Sequence, residues 1–136
     1  MAASVWYTSP LTCAHCHSYV AGDESGLFTA GLSPDGDTGR LGVGEVLAGV
    51  GEADLLEAFP PRSRRPQAAP LDVLEVWDCP VCGTTEVVRL TFAPDECDAW
   101  WLVAQRAQLL DDTVLEAADG LSRMLRITLG GDFDVT

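Results

Sequence analysis

Two Cys-x-x-Cys pairs, far apart in the chain, constrain this sequence more than anything else in it. The first is Cys13-Ala14-His15-Cys16. The second is Cys79-Pro80-Val81-Cys82, followed by Gly83. Each pair can set two thiolates on one side of a tight turn. Two such turns brought face to face make a tetrahedral four-sulfur site, which suits Zn²⁺. The candidate ligands are therefore Cys13, Cys16, Cys79 and Cys82, and the metal is expected to hold the fold together.

The length of 136 residues suits one domain, 1–136, with a modest core, and 47% apolar residues are enough to drive folding. No apolar run approaches the ~20 residues that cross a bilayer. Residues 1–9 lack a basic stretch followed by an apolar one, so no signal peptide is expected. A cytoplasmic location follows as the expectation, and there paired cysteines are metal ligands more often than disulfides. The formal charge of −13 repels phosphate backbones, which argues against nucleic acid as a partner. All eight basic residues are arginine. Together with abundant Ala, Gly and Leu, that points to a GC-rich bacterial source.

Val5 to Thr12 reads as a strand entering the first turn, with a bend or an edge at Pro10. Leu27 to Leu32 reads as a returning strand, and Ser33 to Gly39 as a turn. Leu41 to Val50 has no clean period. Asp54 to Phe59 offers one or two helical turns, stopped by Pro60 and Pro61. Pro60 to Pro70 is a loop by composition. Leu71 to Trp77 predicts a strand into the second turn, and Thr84 to Phe92 a strand out of it, with Val88, Leu90 and Phe92 on one face. Trp100 to Leu110 fits either period. Strand is preferred, because Asp111 or Asp112 is the better helix start. A helix over 111–126 then places Val114, Leu115, Ala118, Leu121 and Leu125 on one side, weakened by Gly120. Residues 127–136 read as a tail. The fold class expected is mainly β (α+β): an antiparallel sheet, an insert over 17–70 between the two turns, and a C-terminal helix.

A glycine after the second cysteine lets the chain turn with positive φ. Cys79-Pro80-Val81-Cys82-Gly83 has it. In the first pair His17 stands there, and His is among the few other residues that tolerate the conformation. Both pairs, each a turn between strands, resemble the knuckles of zinc-ribbon and rubredoxin-like proteins. A looser similarity is to small bacterial and phage zinc-ribbon proteins, through Leu41-Gly42-Val43-Gly44-Glu45 between the knuckles and a strand pair plus helix after the second. The resemblance implies a metal-binding ribbon with an inserted segment, and no activity.

Other chemistry has less behind it. His15 and His17 read as solvated knuckle side chains, with a three-Cys, one-His ligand set as the alternative. A zinc deaminase needs His-x-Glu and Pro-Cys-x-x-Cys; His15-Cys16-His17 lacks the Glu, and Pro80 lies inside its pair. Dithiol redox chemistry needs a helix directly after the pair, and Ser18 to Gly22 starts one poorly. Asp35 to Gly39 opens like a calcium loop but has no Glu at the twelfth position. Cys97, among Asp95, Glu96 and Asp98, reads as a spare thiol.

The functional expectation is a non-enzymatic, zinc-stabilised module for binding another protein: an adaptor, an accessory subunit or an inhibitor-like partner. The alternative is electron transfer through iron in the same four sulfurs. Two surfaces are candidates for a protein partner. Arg62, Arg64 and Arg65 form a basic island in a proline-rich loop. The adjacent pair Trp100 and Trp101, on a strand, must point to opposite faces.

Overall fold

A computed structural model describes residues 3–7, 10–20, 28–33, 39–41, 43–47, 49–61, 64–121 and 125. Residues 34–38 of the turn expected over 33–39, Arg62, residues 122–124 and 126 of the expected helix, and the tail over 127–136 lie outside these residues. The described chain is dominated by sheet, with two short helices: β1 (Ala3–Tyr7), β2 (Leu11–Thr12), β3 (Tyr19–Val20), β4 (Phe28–Ser33), β5 (Gly39–Leu41), β6 (Glu45–Val46), α1 (Glu52–Ala58), β7 (Leu71–Asp78), β8 (Thr85–Pro94), β9 (Trp100–Gln108), α2 (Asp112–Ala117) and β10 (Gly120–Leu121).

The central sheet has the order β10-β7-β8-β9-β6. Its backbone is the antiparallel meander β7–β8–β9, which joins strands that are neighbours in sequence. The period-2 pattern works here as expected: Val88, Leu90 and Phe92 of β8 are fully buried on one face, beside Leu71, Val73 and Trp77 of β7. Leu55 and Phe59 of the α1 region cover that face, with the rings of Phe59 and Phe92 6.0 Å apart. The opposite face holds a second, smaller core of Leu74, Val87, Val114, Leu115, Ala118, Leu121 and Leu125. Covered on both faces, β7 sends Leu71, Val73 and Trp77 into one core and Leu74 and Val76 into or against the other. β1 pairs antiparallel with β4 and parallel with β5 in a separate three-stranded sheet, and β2–β3 form a two-stranded hairpin.

The ambiguity over Trp100–Leu110 has a structural cause. Thr91 faces Ala104 but Phe92 faces Leu102, so Val103 is an extra residue in β9. This bulge switches the buried face from Trp100 and Leu102 before it to Ala107 after it, and leaves Val103 exposed. No single period fits a strand that changes parity halfway.

Among the described residues the helix expected over 111–126 is interrupted after Ala117, and Leu125 is helical beyond the break. Asp111 caps α2 as expected, its carboxylate accepting the N–H of Val114 at 2.8 Å. The helix ends at Ala117, Ala118 is extended, and the chain pairs as β10, parallel with β7. Asp119 fixes the junction: its N–H donates to the Asp72 carbonyl, and its carboxylate accepts the Asp72 N–H. Gly120 then lies so close to the Phe59 carbonyl that a Cβ would sit 2.8 Å from its oxygen. A tertiary contact, not local propensity, stops this helix.

The proline-rich loop is braced from within. Arg65, mostly buried, pairs with Glu52 at 3.4 Å and donates to the carbonyls of Ala69 and Pro70. Glu52 also accepts the N–H of Ala68. Arg64 is exposed.

Candidate metal centre

Each Cys-x-x-Cys pair sits at the tip of a hairpin: Cys13 to Cys16 between β2 and β3, Cys79 to Cys82 between β7 and β8. The two tips have the same construction. In the first, the Cys13 N–H donates to the Ser18 carbonyl at 3.0 Å, and the His17 N–H to the Cys13 carbonyl at 3.0 Å. In the second, Cys79 donates to Thr84 at 3.0 Å, and Gly83 to Cys79 at 2.8 Å. The strand pairings continue the match, Leu11 facing Val20 as Trp77 faces Glu86, and Thr12 facing Tyr19 as Asp78 faces Thr85. The repeat therefore extends over residues 11–20 and 77–86, well beyond the cysteines that announce it in the sequence.

The hairpins meet tip to tip. The Cys13 and Cys82 sulfurs are 3.7 Å apart and those of Cys16 and Cys79 3.9 Å apart. All four lie within 4.8 Å of one another. A tetrahedral ion with metal–sulfur bonds of about 2.3 Å needs sulfur–sulfur edges of about 3.8 Å. The donor set and its spacing fit a metal ion bound by four thiolates. The N–H groups of His15 and Cys16 both point at the Cys13 sulfur, at 3.4 Å, and soften its charge.

The four sulfurs differ in their surroundings. Cys13 and Cys79 are buried, Cys16 is half-buried and Cys82 is exposed. Burial pushes the Cys13 thiol up to about 12, and its contact with Glu86 adds to the rise. Cys82 is drawn down to about 5, first by the Thr84 hydroxyl, 3.2 Å from its sulfur, then by the Thr84 N–H, with His15 of the other knuckle contributing. The hydroxyl and N–H of Ser18 lower Cys16 in the same way. The second cysteine of each pair thus carries a hydroxyl-bearing residue two positions on.

Glu86 is the residue that sequence reasoning missed. It is 1% exposed, and its carboxylate accepts the Cys13 thiol at 2.7 Å and the Ala14 N–H at 2.9 Å. A signal was available: an acid at position 86 falls on the same strand face as Val88, Leu90 and Phe92.

The remaining candidates lie away from the sulfurs. Cys97 is exposed in the β8–β9 loop, where Asp95 accepts its N–H at 2.8 Å. Trp100 is buried, while Trp101 is half-buried and donates its indole N–H to Asp95 at 2.9 Å. That bond, with the N–H groups of Cys97 and Ala99, holds the Asp95 carboxyl below its ordinary range. Tyr19, beside the first knuckle, and Val81, within the second, are 77% and 62% exposed. Among the described residues no helix is long and apolar enough to cross a membrane. Comparison with protein-family models, curated proteins and solved structures found no match.

Proposed function

We infer that this chain is a zinc-stabilised, zinc-ribbon-like module whose role is to bind another protein. The observation that carries the reading is the gathering of four cysteine sulfurs from two distant hairpins within 4.8 Å of one another, with two of their separations at a tetrahedral edge length. Four thiolates fill the coordination of a zinc ion and leave no position for a substrate, which makes the centre structural rather than catalytic. The surface left for function is then the one beside the knuckles, where Tyr19 and Val81 stand out from a strongly acidic chain. Exposed apolar side chains on a chain of net charge −13 suit a partner that offers an apolar pocket on a basic surface.

The experiment has two parts. Protein purified without chelator should contain one zinc per chain by elemental analysis; protein without stoichiometric metal would end the reading. Tyr19→Ser combined with Val81→Ser should keep the metal and the melting temperature and lose a partner that the unaltered chain retains in a pull-down.

A second reading has its own observation. Cys82 is exposed, which would suit electron exchange through iron held by the same four cysteines. Colour separates the two: ferric iron in four thiolates is red, and zinc is colourless.

A further inference from the structure

The two hairpins match residue for residue until one position breaks the correspondence. Opposite Leu11 stands Val20, and both are buried and apolar. Opposite Trp77, the counterpart of Leu11, stands Glu86. A carboxylate withdrawn from water is costly at any place where its lone pairs go unbonded. Here both oxygens are bonded, and both bonds run in one direction. From the strand that leaves the second knuckle they cross to the first knuckle, one to the Ala14 N–H and one to the Cys13 sulfur. Glu86 does not belong to the group of four donors that surround a common centre. Its geometry is that of a support, not of a ligand.

We propose that Glu86 is a positioning residue that latches the first knuckle onto the second, so that the four sulfurs are gathered before a metal ion arrives. The link to metal affinity rests on the metal-centre reading; the latch itself is a property of the polypeptide. Without Glu86, nothing in the second hairpin takes up the Ala14 N–H. A metal ion must then supply that part of the free energy of apposition which the burial of Leu11, Val20 and Trp77 in one core does not. Its apparent affinity falls in proportion to the fraction of chains that are already assembled.

The test uses the full chain in three forms: unaltered, Glu86→Val, which copies Val20 of the sister hairpin, and Glu86→Gln, which keeps an oxygen for the Ala14 N–H. Hydrogen exchange at the Ala14 amide is measured after treatment with chelator. Zinc affinity is measured by competition with a chromogenic chelator. Losing a hydrogen bond to a charged group predicts exchange faster by about tenfold or more in Glu86→Val, and within about threefold of the unaltered chain in Glu86→Gln. A metal ion displaces the Cys13 thiol proton and with it the bond to Glu86, so the Ala14 bond alone carries the link to affinity. The zinc dissociation constant of Glu86→Val should therefore weaken by less than that factor. Should Glu86→Val not fold, Glu86→Met, apolar and unbranched, takes its place.

Equal protection of Ala14 in the unaltered and apolar forms would overturn the latch. So would Glu86→Gln exchanging as fast as the apolar form. If no form binds zinc while Ala14 protection differs as described, the metal reading falls and the latch stands. If all forms bind zinc alike and Ala14 protection does not change, the latch falls and the metal reading stands.

Discussion

His17 and Gly83 occupy the same place in the two knuckles and share one backbone conformation, with φ of 62° and 73°. Each donates its N–H to the first cysteine of its own pair. The left-handed region is open to glycine and costs other residues energy, least of all Asn, Asp and His. The first knuckle therefore holds strain that the second avoids. His17→Gly should stabilise the protein by about 0.5 kcal/mol. Gly83→Ala should cost about 1 kcal/mol, since a Cβ there meets nothing within 4 Å and only the backbone is strained. Thermal melts of the metal-loaded forms decide both; an unchanged melting temperature in each would refute the argument from φ.

Removing a ligand should be far more severe. Apparent binding energies of structural zinc are about 10 kcal/mol or more, which is comparable to a whole domain's stability. Cys79→Ser should lower stability by roughly 4 kcal/mol or more, with loss of metal. Chelator treatment of the unaltered chain should lower the melting temperature in the same direction. Cys97→Ser, at an exposed thiol outside the cluster, should change neither metal content nor melting temperature.

The knuckles were legible because each is a local pattern whose residue types name their chemistry. The strands of the meander were legible for a similar reason, as the alternation of Val88, Leu90 and Phe92 survives in the fold. The rest turned on contacts between distant segments. Gly120 weakens the helix locally, but nothing local says that it must approach Phe59 or that the chain turns into a strand after Ala118. The bulge at Val103 shifts parity inside β9, so apolar positions from two registers overlay in one segment. Arg65 read as part of a basic island for a protein partner; its carboxylate partner, Glu52, lies before a run of prolines and beyond the reach of a local reading.

That pairing changes what arginine replacement should do. Arg65→Ser removes an ion pair and bonds to two carbonyls from a mostly buried position. It should cost about 1–2 kcal/mol, while Arg64→Ser, at an exposed site, should cost close to nothing. Paired melting curves of the single variants check this. Equal melting temperatures would mean that Arg65 does not brace the loop.

Alkylation after metal removal should follow the environments of the sulfurs. With its thiol drawn down to about 5, Cys82 is a thiolate at neutral pH, whereas Cys13, pushed up to about 12, is not. Iodoacetamide at about pH 6.5 should therefore modify Cys82 first and Cys13 last, as read by peptide mass spectrometry. The two shifts act on the metal-stripped fold with opposite signs. Cys82 contributes stability that is full above its unfolded value of 9.0 and is lost as pH falls through about 5. Cys13 contributes stability that is full below 9.0 and is lost as pH rises through about 12. Labelling of Cys13 before Cys82 would contradict the assignment.

The sulfurs of Cys13 and Cys82 touch although 69 positions separate them in the chain. On the ribosome this spacing becomes a delay. At about 5–20 residues per second, roughly 3–14 s pass between the synthesis of the first knuckle and that of the second. For that interval the nascent chain carries two thiols with no counterpart, open to oxidants and to stray metal ions. The second knuckle waits for nothing, because its hairpin closes between adjacent strands on a microsecond scale, about 1–10 μs. A ribosome-bound fragment ending before β7 should thus be the form of this protein most easily oxidised, and its thiols should become protected only when the meander emerges.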